Sequence, residues 1–211
     1  MTSEDRATRL RLLQTEASTC TRCPLHEGRT TVVFGEGNPD ADLMIIGEGP
    51  GQREDEQGRP FVGRSGQLLS TLLERVGLDR SEVYISNVVK CRPPGNRDPR
   101  PAEIDACKGY LVEQLKLIDP AAVVTLGNFS TKLLLKTEVG ITRMRGQAYP
   151  WWGRHVVPTF HPAAALRSGA RVVEEMVSDL QLAVQVIEQP ASPAPVEVAE
   201  VREPEQIELF T

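Results

Sequence analysis

Two kinds of apolar pattern alternate along the chain. Short continuous runs at Leu43–Gly47, Val83–Asn87, Ala122–Leu126 and His155–Phe160 are rich in valine and isoleucine and predict buried strands. Between them, apolar residues recur every three or four positions. Leu68, Leu69, Leu72, Leu73 and Val76 share one face of a helix that starts near Ser65 and stops at Gly77. Ile104, Cys107, Leu111, Leu115 and Ile118 form the stripe of a second, with Pro101 in its first turn and Pro120 barring its continuation. Gly127 and Asn128 open a third, which runs through about Leu135. A last helix over about 171–187 turns Val173, Met176, Leu180, Val184 and Ile187 inward, and an amphipathic helix over about 4–18 points Leu10 and Leu13 inward. Gln147–Trp152 and His155–Phe160 predict a hairpin around Gly153 and Arg154, its second arm joining the sheet.

Strands alternating with helices predict an α/β fold whose parallel sheet is covered on both faces. Such sheets bind ligands beyond the carboxyl ends of their strands. Three informative stretches fall at those ends: GEGPG after the first strand, Asn87 closing the second, and FHP after the last. A turn with glycines alternating in this way could hold a dinucleotide, but the spacing is not GxGxxG and the rest of that fingerprint is missing.

Composition changes the picture little. Apolar residues at 40% and charged residues at 25% are those of a soluble globular protein. No apolar run approaches the ~20 residues of a membrane span. The charged N-terminus is not that of a signal peptide, so a cytoplasmic location is expected. The net charge of -5 argues against nucleic acid only until its distribution is seen: residues 191–211 carry five glutamates and one arginine, leaving 24 acids and 23 bases elsewhere. A near-neutral body can still present a basic face. From about Pro190 the sequence becomes rich in proline, alanine and glutamate without periodicity. This divides the chain into a folded domain, 1–189, and a disordered acidic tail, 190–211.

Four cysteines complete the chemistry. Cys20 and Cys23 stand three apart in one loop; Cys91 and Cys107 must join them by folding. In a cytoplasmic chain this pattern suggests a metal site rather than disulfides. Zinc and a [4Fe-4S] cluster both accept four thiolates, and the spacing does not choose between them.

Taken in order, GEGPG with its trailing RED, GRPFVGRSGQLL, YISNVVKCRPPGNR and FHPAAALR resemble the family 4, iron–sulfur uracil-DNA glycosylases from about Cys20 to Leu182. The resemblance implies a three-layer α/β/α sandwich around a central four-stranded parallel sheet, and a [4Fe-4S] cluster on Cys20, Cys23, Cys91 and Cys107. It implies removal of uracil from single- or double-stranded DNA by hydrolysis of its N-glycosidic bond, leaving an abasic site. Phe61 is then the platform on which the extruded base stacks. Asn87 reads uracil through N3–H and O4, a pattern that cytosine reverses. His161 donates to uracil O2 as charge builds there. Glu48 lies under the sugar, where a carboxylate favours the oxocarbenium-like state and activates water. Gly49 and Gly51 let the backbone approach base and phosphate, Pro50 stiffens that approach, and Glu54 crowds the C5 edge that carries the thymine methyl. Arg64, Lys90, Arg92, Arg97, Arg100 and Arg167 flank these motifs as candidate phosphate contacts. The superfamily's bulky wedge is not at its usual place: Ala165 stands there, and Leu166 follows as the candidate.

The tail ends in Gln206-Ile207-Glu208-Leu209-Phe210, which resembles the peptide by which bacterial repair proteins dock on the sliding clamp. The chain is expected to act as a monomer. Two other readings compete. A uracil-DNA binder that has lost turnover or traps the sugar covalently belongs to a branch with a histidine-bearing insert after the first motif, and QREDEQGRPFVG holds no histidine. A zinc or redox module that merely binds nucleic acid is told apart by its metal: broad absorbance near ~400 nm marks a cluster, whereas a colourless protein holding stoichiometric zinc favours this reading.

Overall fold

The computed structural model describes residues 1–188; the acidic tail and its terminal peptide lie outside the described residues. Four parallel strands form the centre: β2 (Leu43–Gly47), β3 (Tyr84–Asn87), β4 (Ala122–Leu126) and β6 (Arg154–Thr159). Two short antiparallel strands extend the edges, β1 (Glu36–Gly37) beside β3 and β5 (Tyr149–Trp151) beside β6. The order is therefore β1-β3-β2-β4-β6-β5, a mixed six-stranded sheet around the expected parallel core.

Alternate residues along each central strand serve opposite layers. Met44 and Ile46 of β2 pack into one apolar cluster, with α1 (Ser3–Ser18), α5 (Pro101–Ile118) and α6 (Asn128–Leu135). Leu43 and Ile45 pack into the other, with α4 (Arg64–Arg75), α8 (Pro162–Ser168) and α9 (Ala170–Glu188). Burial on both faces is why these strands read as unbroken apolar runs rather than alternating ones. The result is the three-layer α/β/α sandwich.

Both neighbours of β2 continue the chain in opposite directions across the sheet, so the order reverses between β2 and β4. A crevice at that point is the usual ligand position in such folds. Three short helices had no periodic signature long enough to reveal them: α2 (Leu25–Gly28), α3 (Gln52–Gln57) and α7 (Ile141–Met144). The hairpin turn sits one residue earlier than expected. Trp152 and Gly153 take φ of 53° and 74°, the two left-handed positions of the turn type that matches strand twist. Among the described residues, no helix is long and apolar enough to cross a membrane.

Candidate active site

The strand ends bring the motifs together. Gly47 of β2 lies beside Asn87 of β3 in the parallel register. The backbone continues the pairing one step further, with Val88 N–H donating to Gly47 C=O at 3.0 Å and Val89 N–H to Glu48 C=O at 3.1 Å. A Cβ built on Gly47 would overlap Asn87 Oδ1 and stand 2.6 Å from Phe61 Cζ. The glycine is thus needed by the protein's own packing, because two functional side chains close over it. Gly49 is hemmed in similarly, by Val89 Cγ2 at 2.8 Å from its notional Cβ.

Asn87 is 1% exposed, and its Oδ1 is buried without a hydrogen-bond partner. An unpaired buried acceptor costs on the order of 1–3 kcal/mol, and no group among the described residues donates to this one. Phe61 lies against it with φ of +51°, a left-handed conformation that a bulky residue adopts only when its surroundings impose it. Two neighbours impose it. Glu54 Oε1 accepts from the amides of Val62 and Gly63, each at 2.9 Å, pinning the turn that leads into α4. Gly66, in the first turn of α4, packs so closely that a Cβ there would overlap the Phe61 carbonyl. Glu54 therefore has a positioning task that the sequence did not suggest.

His161 caps α8. Its Nδ1 accepts from Ala163 N–H at 3.1 Å, which leaves the ring proton on Nε2. Burial, and secondarily Arg167, push its pKa down to about 4, with Glu54 opposing. The imidazole is therefore neutral at physiological pH. Its ring centroid stands 5.9 Å from that of Phe61 at an interplanar angle of 37°, so the two rings are direct neighbours. The strand leading to it is anchored by a group the sequence analysis missed: buried Asp179 of α9 accepts from Thr159 Oγ1 at 2.7 Å and pairs with Arg145, whose guanidinium lies 5.6 Å from the Phe160 ring. The available signal was a carboxylate set between the apolar Met176 and Leu180 on a helix stripe.

Glu48 is half-buried. Together with Asp98, Asn128, Lys132, Gly140 and His161 it lines an open cavity at the β2–β4 crossing point. Burial, then the adjacent Asp98 carboxyl, push its pKa up to about 7. Asp98 is a second residue the motifs did not single out.

The candidate phosphate contacts divide. Arg64, Arg100 and Arg167 are exposed; Arg92 bonds Asn96 Oδ1 at 2.7 Å and Arg97 pairs with buried Glu103 at 2.6 Å. Lys90 must be corrected. It is 1% exposed, and its ammonium donates to Ser86 Oγ (2.7 Å), Asn87 C=O (2.8 Å) and Gln114 Oε1 (2.6 Å). With all three donors satisfied in the interior, it cannot reach a phosphate; it ties the Asn87 strand end to α5 instead. On α8, Ala165 is buried and Leu166 is 42% exposed, so the helix turns the leucine outward and the alanine inward.

The four cysteines line one pocket, with Arg22, Arg29, Lys90 and Tyr110 around them. Three of the sulfurs receive N–H donors: Cys20 from Arg22 Nε at 3.4 Å, Cys91 from Arg29 at 3.4 Å and Cys107 from the Lys90 amide at 3.3 Å. Among the described residues, no group of three or more His, Cys, Asp or Glu side chains converges closely enough to hold a single metal ion.

The uracil DNA glycosylase superfamily profile matches residues 34–181, which spans the sheet and every residue of the cavity. A type-4 uracil-DNA glycosylase of Thermotoga maritima is 48% identical over 160 residues, covering 75% of this chain and 83% of the relative. Another, from Archaeoglobus fulgidus, is 42% identical over 79% of this chain and 87% of its own length. A type-5 uracil-DNA glycosylase of Pyrobaculum aerophilum is more distant, at 30% over 72% of this chain and 74% of the relative. Extent, identity and the order of the motifs agree, and the chain belongs to the type-4 uracil-DNA glycosylases.

Proposed function

We propose that this protein is a monofunctional DNA-repair hydrolase that cleaves the N-glycosidic bond of uracil in DNA, releasing the free base and leaving an abasic site. The observation that carries the reading is the unpaired, buried Oδ1 of Asn87, which meets Phe61 over Gly47, the Phe61 ring in turn neighbouring the neutral His161. A uracil everted from the stack and lying on Phe61 offers N3–H to that oxygen. As the bond from C1′ to N1 breaks, its electron pair passes to the base, and His161 Nε2–H donates to O2 where charge gathers. Water adds to C1′; Glu48 orients it and accepts its proton, and the departing base is finally protonated from solvent. A base whose pKa lies near the working pH suits that transfer. Leu166 would fill the gap left by the base, and Arg64, Arg100 and Arg167 are the exposed ones among the candidate phosphate contacts. Glu54 serves the reading as the group that fixes Phe61; a crowding role at C5 would act through Phe61's placement.

The test is direct. Pure protein incubated with a single-uracil oligonucleotide, then alkali, should cut the strand at the uracil; an intact strand in both single- and double-stranded form rejects the proposal. Asn87→Asp should lower the ratio of uracil to cytosine release by about 10-fold or more, because a site built to pair one donor pattern loses its discrimination when that pattern changes. An unchanged ratio would remove Asn87 from the reading role.

Cys20, Cys23, Cys91 and Cys107 would hold a [4Fe-4S] cluster. A cluster binds each thiolate at a different iron, which suits sulfurs that share a pocket without converging on a point, and N–H donors to the sulfurs are its usual surroundings. Bound there, it supplies a structural tie between the N-terminal loop, the loop after β3 and α5. Cys91→Ala should abolish the broad absorbance near ~400 nm and lower the melting temperature, leaving the uracil-to-cytosine ratio of surviving protein unchanged. Stable, colourless, fully active Cys91→Ala protein would count against it. For the tail, the Gln206, Leu209 and Phe210 peptide is the proposed ligand of a bacterial sliding clamp, to be judged by whether removing residues 206–211 ends capture on immobilised clamp.

A further inference from the structure

The loop after β3 is fixed around Asp98. Buried Glu103, in the first turn of α5, holds the Arg97 guanidinium with both oxygens, at 2.9 Å and 2.6 Å, and also accepts from the Arg100 amide at 2.8 Å. Arg97 NH1 additionally donates to the Asp98 carbonyl at 2.9 Å, and Pro99 is buried. One carboxylate thus clamps the residues on either side of Asp98. The side chain it presents lines the same cavity as Glu48, and its presence helps push the Glu48 pKa up. A surface aspartate in a loop that approaches a polyanion would ordinarily be a liability, and none of the steps above employs it.

Resting on the reading of Glu48 as the water-activating base, we propose that Asp98 is a positioning residue for that base: its side chain, held on the wall of the same cavity, sets the pH at which Glu48 becomes competent. A carboxylate facing another across one cavity disfavours its ionisation, so Glu48 keeps its proton to a higher pH. The other titratable and charged groups on this cavity do not take the task away. His161 faces it from the β6–α8 corner as a neutral ring, and Lys132 faces it from α6 while paired with Glu138 at 3.1 Å.

The experiment is a single-turnover rate against pH for the cluster-loaded protein at saturating single-uracil oligonucleotide, so that weaker repulsion of phosphate does not enter. Wild type should lose rate as pH falls through about 7. Asp98→Asn should move that limb down by about one unit or more, making the variant about five-fold faster than wild type at pH 6. Asp98→Ser should do the same, and Asp98→Glu should restore the wild-type limb. Asp98→Asn or Asp98→Ser profiles that overlay wild type overturn the proposal, as does a folded Asp98→Asn protein whose rate falls equally at every pH. Failure of the underlying reading looks different: no uracil release by wild type, or a Glu48→Gln protein that keeps both the rate and the acid limb.

Discussion

Replacing His161 by alanine should lower the single-turnover rate of uracil release by about 10²–10³-fold, the loss usually seen when one oxyanion donor is removed from a preorganised site. DNA affinity should change little, because His161 meets the base and not the phosphates. The expectation follows from two features of the ring. The Ala163 amide occupies Nδ1 and so fixes the proton on Nε2, and burial holds the imidazole neutral down to a pKa of about 4. The donor is therefore in place before the charge develops and needs no protonation event. Across the neutral range His161 should contribute no limb to the pH–rate profile; the acid limb belongs to Glu48, rate rising with pH as that carboxyl ionises around 7. A rate within about 10-fold of wild type for His161→Ala would remove the ring from the transition state.

Gly47→Ala should be nearly as damaging, although no atom of Gly47 takes part in the reaction. The added methyl would overlap Asn87 Oδ1 and press on Phe61 Cζ at 2.6 Å. Neither neighbour can yield cheaply. Asn87 belongs to a strand end whose carbonyl is held by buried Lys90, and Phe61 sits in a left-handed turn pinned by Glu54 and packed on Gly66. One of the two must move by a substantial fraction of an ångström. Misplacement on that scale costs about 100-fold in rate, so kcat/KM should fall by that order with both kcat and KM affected. Circular dichroism should still show a folded protein. Wild-type kinetics in a folded Gly47→Ala variant would mean that Asn87 and Phe61 do not act as one unit.

These two positions also mark the boundary between what was written in the sequence and what was not. His161 and Gly47 lie in stretches that stand out because a buried run ends in residues no strand core would choose, and strand ends are where such sheets bind ligands. Asp98 and Asp179 gave no comparable signal. Each is a common residue in a common setting, and each meets its partners only through the fold: Asp98 shares a cavity with Glu48, and Asp179 bonds Thr159 and Arg145. Lys90 misled for the same reason. Among the basic residues of KCRPPGNR it has the look of a surface charge, and only the packing of β3 against α5 supplies the three oxygens that draw it inward.

By itself, the sequence determined the four central strands, the major helices and the α/β layering, and it singled out Glu48, Phe61, Asn87 and His161 in the motifs at the strand ends. Apolar period and turn chemistry are local properties, and they are sufficient to place elements and their ends. The tertiary structure alone decided which side of each element a polar group faces, which carboxylates meet, and which cation is sealed in the core. Those outcomes depend on burial and on distances between residues far apart in the chain, and no pattern of neighbours along the sequence encodes them.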